Sequence, residues 1–352
     1  KFEDSPAKRK EKSKSSQLYV PRFDDEQNSS FVVDSWYKKS FWLYLLYPFS
    51  LIVSYITARR RRKYLKGASE THKSEVPVIV VGNLTIGGTG KTPLVKYIAS
   101  ELLSLGYKPG LVSRGYGGKF KETLLVSDQT PVKQTGDEAQ ILATLNLPFY
   151  IDKSRVRAVK AITDNHDCDI IISDDGLQHY KMNRDIEIVV IDGKRRFGNN
   201  LTFPAGPLRE SKARLNSVDF IVNNSGPTDE GEYLMNVSPS RFVHLKSGKS
   251  YPIEDWPMHK QVHAVAGLGN PGRFFDLLAR LGFDIIRHPF QDHHNFHEQD
   301  IHYLDHLPIV MTEKDASKCK DFDNNKIWYL TIEADVSDKF INELDTKIKS
   351  IN

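Results

Sequence analysis

The chain has 352 residues, enough for two domains with separate cores. Its two cysteines, Cys168 and Cys319, exclude a disulfide framework and are expected as free thiols in a reducing cytosol. The net charge of +4 is uneven: residues 1–66 hold 15 Lys/Arg against 7 Asp/Glu, a local +8 that leaves the remainder at −4. This argues against a nucleic-acid surface on the body and for an anionic contact near the N-terminus.

Residues 1–30 are polar and mixed in charge, with little apolar periodicity, and read as a disordered tail. Residues 41–57 carry no charge. As a helix they would reach about 26 Å at 1.5 Å per residue, the lower limit for crossing a bilayer. Five aromatics (Phe41, Trp42, Tyr44, Tyr47, Phe49) crowd the first half, Pro48 sits in the middle, and Arg59-Arg-Arg-Arg-Lys63 follows. Aromatics beside a basic cluster suit a helix lying at the interface of an anionic membrane. Residues 31–66 are therefore expected as an interfacial anchor, ahead of a true span or an ordinary core helix. The segment starts too late for a signal peptide.

A β-branched run at 78–81 then suits a buried strand, and a glycine-rich stretch at 82–90 leads into Gly90-Lys-Thr-Pro93 and a helical pattern. Strand, glycine loop, Gly-Lys-Thr and helix form the layout of a phosphate-binding P-loop. The backbone N–H groups of Gly87, Gly88, Thr89 and Gly90 would converge on phosphate oxygens, aided by the helix N-terminus. Lys91 would pair with the outer phosphates and Thr92 would hold Mg²⁺. Position 85 is threonine where the usual pattern has glycine, and Gly87 and Gly88 supply the flexibility.

From there strands and helices alternate. Helices are expected at 93–106 and 154–165, and strands at 110–113, 148–152, 169–173, 186–191 and 218–222. Repeated βα units imply an α/β fold, a doubly wound, mostly parallel sheet of P-loop NTPase type. The pattern loosens at 223–233, then resumes as strands near 241–245 and 262–266, a helix at 271–282, a strand near Ile285 and another at 309–312. The expected domains are a P-loop kinase domain at 67–235 and a smaller C-terminal α/β domain at 236–352.

Several clusters carry chemistry. Asp174 and Asp175 end an apolar strand, where ligands gather in this fold, and are candidate Mg²⁺ acids. Gly176-Leu-Gln-His179 continues that turn. Asp137 and Glu138 open a helix; such acids serve as caps, or as a carboxylate that removes a proton from an acceptor hydroxyl. The loop Ser113-Arg-Gly-Tyr-Gly-Gly118 brings a cation to a flexible turn suited to an anionic or sugar group. Phe203-Pro-Ala-Gly-Pro-Leu-Arg-Glu210 delivers Arg209, able to neutralise phosphate charge, and Glu210, able to join a metal shell. Residues 288–306 hold six histidines without a compact zinc pattern, so a single proton relay is expected there.

Together, these motifs resemble the tetraacyldisaccharide 4'-kinase family, the lipid A 4'-kinases of Gram-negative bacteria. The resemblance is carried by the segments 82–93, 113–118, 136–138, 174–179 and 204–210, by Ala266-Gly-Leu-Gly-Asn-Pro271 and Asp292-His-His-Asn-Phe296, and by Met311-Thr-Glu-Lys-Asp315. They lie in order over roughly residues 35–335. The resemblance implies transfer of the γ-phosphate of ATP, with Mg²⁺, to the 4'-hydroxyl of a tetraacylated glucosamine disaccharide 1-phosphate, giving lipid IVA. It implies a peripheral or monotopic protein on the cytoplasmic face of the inner membrane, with no obligate protein partner. Carried over by motif, Asp137 and His293 become an acid–base pair, with His294 as the alternative partner. Asp174, Asp175, Glu138 and Glu210 become metal-side acids, and Arg209 a phosphate-charge stabiliser. Arg114, Gly115, Tyr116, Gln178 and His179 become substrate contacts. The small domain would close over the P-loop domain. The rival reading is a membrane-recruited P-loop ATPase switch. A metallochaperone-like GTPase lacks support, because no guanine-reading Asn-Lys-x-Asp is present.

Overall fold

A computed structural model describes residues 31–38 and 40–351. The tail expected at 1–30 lies outside the described residues. The described residues open with helix α1 (Phe31–Tyr37), a 3₁₀ turn at Phe41–Leu46, and helix α2 (Tyr47–Leu65). Then follow β1 (Val78–Gly82), α3 (Lys91–Ser104), β2 (Pro109–Ser113), β3 (Leu124–Leu125), α4 (Val132–Thr135), α5 (Asp137–Ala143), β4 (Phe149–Ile151) and α6 (Arg155–Asn165). The middle of the chain supplies β5 (Ile170–Asp174), β6 (Ile186–Asp192), β7 (Phe220–Asn224), β8 (Glu232–His244) and β9 (Ser250–Pro252). The remainder supplies β10 (Gln261–Ala266), α7 (Pro271–Arg280), β11 (Asp284–Pro289), β12 (Ile309–Thr312), α8 (Glu313–Ala316), β13 (Ile327–Val336) and α9 (Asp338–Lys349).

Among the described residues the strands form a single sheet in the order β11-β10-β12-β13-β8-β7-β6-β1-β5-β2-β4-β3, with β9 beside β8. Pairing is parallel except at β13–β8, β3–β4 and β8–β9. The central strands are continuous β-branched runs because both faces are covered. On one face α3, α5 and α9 pack Leu94, Ile98, Leu142, Phe340 and Leu344 against the sheet; on the other, α6 packs Ala158, Val159 and Ile162. Beyond β8 the sheet has its own two layers, one around Phe275 and Leu278 of α7, the other around Phe296 and Ile301.

The expected division at 235 falls inside β8, a single 13-residue strand. Its half-exposed residues and Pro239 mask it in the sequence. The last helix, α9, packs with the P-loop half, contrary to its expected place in the C-terminal domain, because Phe340, Leu344 and Ile348 join the core built on α3. Two strands, β8 and β13, thus tie the halves together.

Helix α3 begins at Lys91, two residues before the expected start, because Gly90 (φ 92°) caps it directly. Pro93 is tolerated, since N–H groups of the first turn have no intrahelical partner. Toward the N-terminus, Pro48 lies in the first turn of α2 instead of in mid-helix, and α2 runs on through the basic cluster to Leu65. The apolar residues of the 3₁₀ turn and of α2 face outward: Phe41 is 84% exposed, Leu45 77% and Tyr55 65%, and only 11% of the apolar stretch is buried. The core-helix alternative therefore fails.

Candidate active site

The carboxyl ends of β1, β5 and β6 meet at one edge of the sheet, where an open α/β fold receives its ligand. The P-loop spans this edge. A Cβ at Gly90 would lie 2.4 Å from Asn224 Nδ2, and Asn224 itself donates to the Thr89 carbonyl, 3.0 Å. Glycine is thus required where β7 presses on the loop. The loop's other end is held by Arg195, which donates to the Gly88 carbonyl, 2.6 Å, and is itself braced by Asp192.

Lys91 Nζ lies 3.5 Å from Asp175, and Arg209 reaches the same carboxylate at 3.1 Å. The two cations expected at the phosphates therefore converge. Burial raises the Asp175 carboxyl, but Lys91 and Arg209 outweigh it and hold the group below its usual value. Asp174 behaves oppositely. Burial pushes its carboxyl up to about 7, with Glu138 and Asp175 adding to the rise against Lys91. One Asp174 oxygen is buried without a hydrogen-bond partner. An unpaired buried carboxylate oxygen near the P-loop lysine fits a divalent cation, which would favour the charged form. Among the described residues no three His, Cys, Asp or Glu side chains gather as a ready-made metal cage. Mg²⁺ suits this, because it keeps waters and takes phosphate oxygens beside one or two carboxylates.

Glu210 is held by its own partners. It accepts from the Tyr180 hydroxyl at 2.5 Å and lies 3.9 Å from Arg214. Its other oxygen is buried without a hydrogen-bond partner, while Arg209 beside it reaches Asp175. Gln178 bridges the site, donating to the Asn83 carbonyl (3.2 Å) and accepting from Arg209 (3.4 Å). His179 is kept neutral: burial, with Arg155 and Arg184 nearby, lowers it to about 4. Arg114 and Tyr116 stand exposed at the rim. Gly115 is buried, and behind it Gly136 (φ 82°) lets the Tyr116 carbonyl approach the start of α5, where a Cβ would meet it at 2.0 Å.

The second half closes onto this rim. His293 Nδ1 donates to Asp137 Oδ2, 3.1 Å, from a backbone with φ 59°. His294 pairs instead with Asp300, 3.1 Å, so His293 is the partner across the cleft. Lys318 and Lys314 flank Asp137 at 3.4 and 3.8 Å, and Lys96 of α3 reaches Glu313 at 3.1 Å.

The profile described as Tetraacyldisaccharide-1-P 4'-kinase matches residues 42–349. The chain belongs to this family. A tetraacyldisaccharide 4'-kinase of Ruthia magnifica is 46% identical over 307 residues, 87% of this chain and 97% of that protein. One from Psychromonas ingrahamii is 44% identical over 321 residues, 90% and 98% of the two chains. A solved structure of LpxK from Aquifex aeolicus, titled as an "apo" form in complex with ATP, is similar with a TM-score of 0.77. It is 27% identical and covers 88% of this chain and 99% of that one.

Arg155, Arg195 and Lys318 of this 4'-kinase site escaped the sequence reading, and the part played by Asp315 within its motif was not read. Arg155 is 2% exposed and donates to the carbonyls of Asp174 (3.1 Å) and Asp175 (3.3 Å), fixing the turn that carries both acids. Burial lowers it to about 10. Asp315 is fully buried and binds the Gly267 N–H, 2.9 Å, so the last residue of the 311–315 motif anchors its own loop. Arg195 and Lys318 lie outside every motif. Their roles come from contacts over 107 and 181 residues of chain, which no local pattern signals.

Proposed function

We infer that this protein is an ATP-dependent kinase that moves the γ-phosphate onto the 4'-hydroxyl of a tetraacylated glucosamine disaccharide 1-phosphate, the step that forms lipid IVA in lipid A biosynthesis. The observation that carries this reading is the Asp137–His293 pair, closed over a P-loop in a chain of this family. A membrane-recruited ATPase switch has no use for such a pair.

Phosphoryl transfer asks the protein mainly for positioning and charge neutralisation. In this reading the backbone from Gly87 to Gly90 and the start of α3 cradle the phosphates of ATP. Lys91 and Arg209, now held together by Asp175, neutralise charge on the transferred group. Asp174, Asp175 and Thr92 would hold Mg²⁺, with Glu138 at the mouth, and the ion would supply charge neutralisation at the β- and γ-phosphates. The Asp137–His293 pair takes the proton of the sugar hydroxyl, a poor nucleophile at neutral pH. Arg114, Tyr116, Gln178 and His179 form the wall that faces the sugar head. Closure of the second half excludes water and limits wasteful hydrolysis.

The exposed apolar face of α2, followed by Arg59 to Lys63, supports a shallow anchor in an anionic leaflet. The cytoplasmic face of the bacterial inner membrane is where this chemistry, ATP and the lipid acceptor meet. The acyl chains stay in the bilayer while the sugar reaches the cleft.

The test is phosphate transfer from labelled ATP to the tetraacyl disaccharide 1-phosphate in detergent micelles with Mg²⁺, for wild type and Lys91→Ala. Transfer that vanishes in the variant supports the kinase. ATP hydrolysis stimulated by bare vesicles, without transfer, would replace it with the ATPase switch.

A further inference from the structure

Helix α2 exposes most of its residues, but one stripe through Ser50, Ser54, Thr57 and Arg61 turns inward, and on it Ser50 is only 2% exposed. The Ser50 hydroxyl donates to the Thr202 carbonyl, 2.7 Å, and accepts from the Ala205 N–H, 2.9 Å. Thr202 Oγ1 returns a bond to the Ser50 carbonyl, 2.9 Å, and lies 2.8 Å from Ser54 Oγ. Trp36 of α1 adds a bond to the Pro204 carbonyl, 3.1 Å. An anchor needing only to hold the enzyme at a membrane has no requirement for a buried polar seat.

The seat lies on a compact loop. Gly206 N–H donates to the Thr202 carbonyl (3.0 Å), Phe203 N–H to the Leu208 carbonyl (2.8 Å), and Leu208 N–H to the Leu201 carbonyl (3.1 Å). Its far side is bonded to the P-loop: Ile86 N–H donates to the Pro207 carbonyl, 2.8 Å, and Arg209 N–H to the Leu84 carbonyl, 2.7 Å. The same backbone then sends Arg209 to Asp175. One rigid loop therefore carries the anchor on one side and the phosphate site on the other.

We infer that Ser50 is a positioning residue for the kinase reaction, acting through the 202–208 loop to set Arg209 against the phosphates, so that the seating of the anchor helix and the order of the phosphate site are linked. Removing its hydroxyl leaves the Thr202 carbonyl short of one donor and the Ala205 N–H without an acceptor, inside a buried contact. The loop then loses the bonds that fix its height relative to α2, and Arg209 loses its register. The exposed apolar residues of α2 are untouched. The inference rests on the proposed role of Arg209.

The experiment is a double-mutant cycle on the full chain in mixed micelles with the tetraacyl disaccharide 1-phosphate. Ser50→Ala should lower kcat about tenfold or more with little change in the lipid KM, because the lost contact acts on positioning. Its flotation with phosphatidylglycerol vesicles should match wild type. On an Arg209→Ala background, Ser50→Ala should cost less than about twofold, since the loss is transmitted through that side chain. An undiminished loss on that background overturns the inference, as does a loss confined to KM together with weaker flotation. A harmless Arg209→Ala would instead overturn the assigned role of Arg209. Should Ser50→Ala fail to melt cooperatively, Thr202→Val and Thr202→Ser carry the test. The serine variant keeps the hydroxyl and should retain activity that the valine variant loses; equal activities overturn the inference.

Discussion

Replacing Asp137 with asparagine tests the pairing across the cleft. The substitution keeps the shape at the start of α5 but removes the charge that accepts from His293 at 3.1 Å. It also leaves Lys318 and Lys314, at 3.4 and 3.8 Å, without their shared counter-ion. A positioned acid–base group contributes roughly 10²–10⁴ in rate. That corresponds to about 2.7–5.4 kcal/mol of barrier at about 1.36 kcal/mol per decade. Asp137→Asn should therefore lower kcat by that range, with the KM for ATP nearly unchanged, because the phosphates are held by Lys91 and the loop. His293→Ala should cost about as much, and the double variant little more than either alone, since the two side chains act as a unit. The assay is steady-state phosphate transfer in micelles, with tryptophan fluorescence on titration with denaturant confirming an intact fold. Losses that multiply, or a single loss below tenfold, would refute a shared proton-handling role.

Gly90→Ala should raise the Kd for ATP at least tenfold in equilibrium dialysis, because φ 92° and the 2.4 Å approach of Asn224 both oppose a Cβ. His288 is lowered to about 4 by burial and by His263, against the opposing charge of Asp305. It bonds His263 at 2.9 Å beneath the Tyr303 ring. Its folded value lies below the unfolded one near 6.5, so the unfolded chain binds more protons between about pH 4 and 6.5, and stability falls as pH drops through that window. His288→Gln should flatten the fall in Tm between pH 6.5 and 4; an unchanged slope would discount this histidine. Replacing Arg59, Arg60, Arg61 and Arg62 with glutamine should weaken flotation with anionic vesicles and leave binding to neutral detergent unchanged, with the wild-type difference shrinking as salt rises.

The parts of the site legible in sequence are those built within one short stretch. The P-loop announces itself because strand, glycines, Lys91 and helix are contiguous. Asp174 and Asp175 do so because an apolar strand ends on them. Parallel strands buried on both faces read as β-branched runs, so β1, β5, β6 and β12 were visible to within a residue or two. Of strand β8 only the end near 241–245 was, since half-exposed residues and Pro239 break the apolar pattern before it. The return of α9 to the first core was equally hidden, because an amphipathic helix states which face is buried and not against what. Glu210 illustrates the same limit. Its motif placed it among the metal-side acids and gave no sign of the Tyr180 hydroxyl that it accepts from, 30 residues away in the chain. Arg155 looked like an ordinary helical cation, although its guanidinium is sealed beneath the β5 turn.

Closure itself has a mechanical constraint. Because β8 and β13 run through both halves, the second half cannot swing on a free linker. Their ladder is interrupted between Leu330 and Ile332, where Ile332 faces Pro239. A missing donor opposite a register shift is the least constrained point of such a ribbon. Away from that point, the contacts across the cleft decide how far it stays shut. Lys96–Glu313, at 3.1 Å and only 23% and 13% exposed, is one that touches neither the phosphates nor Asp137. At an order of about 1 kcal/mol for such a pair, its loss shifts the closed-to-open ratio about fivefold. Lys96→Met should therefore lower transfer severalfold while raising the share of ATP lost to hydrolysis, measured as free phosphate released per lipid phosphorylated. A variant that slows transfer and hydrolysis in equal proportion would show that this ion pair does not control closure.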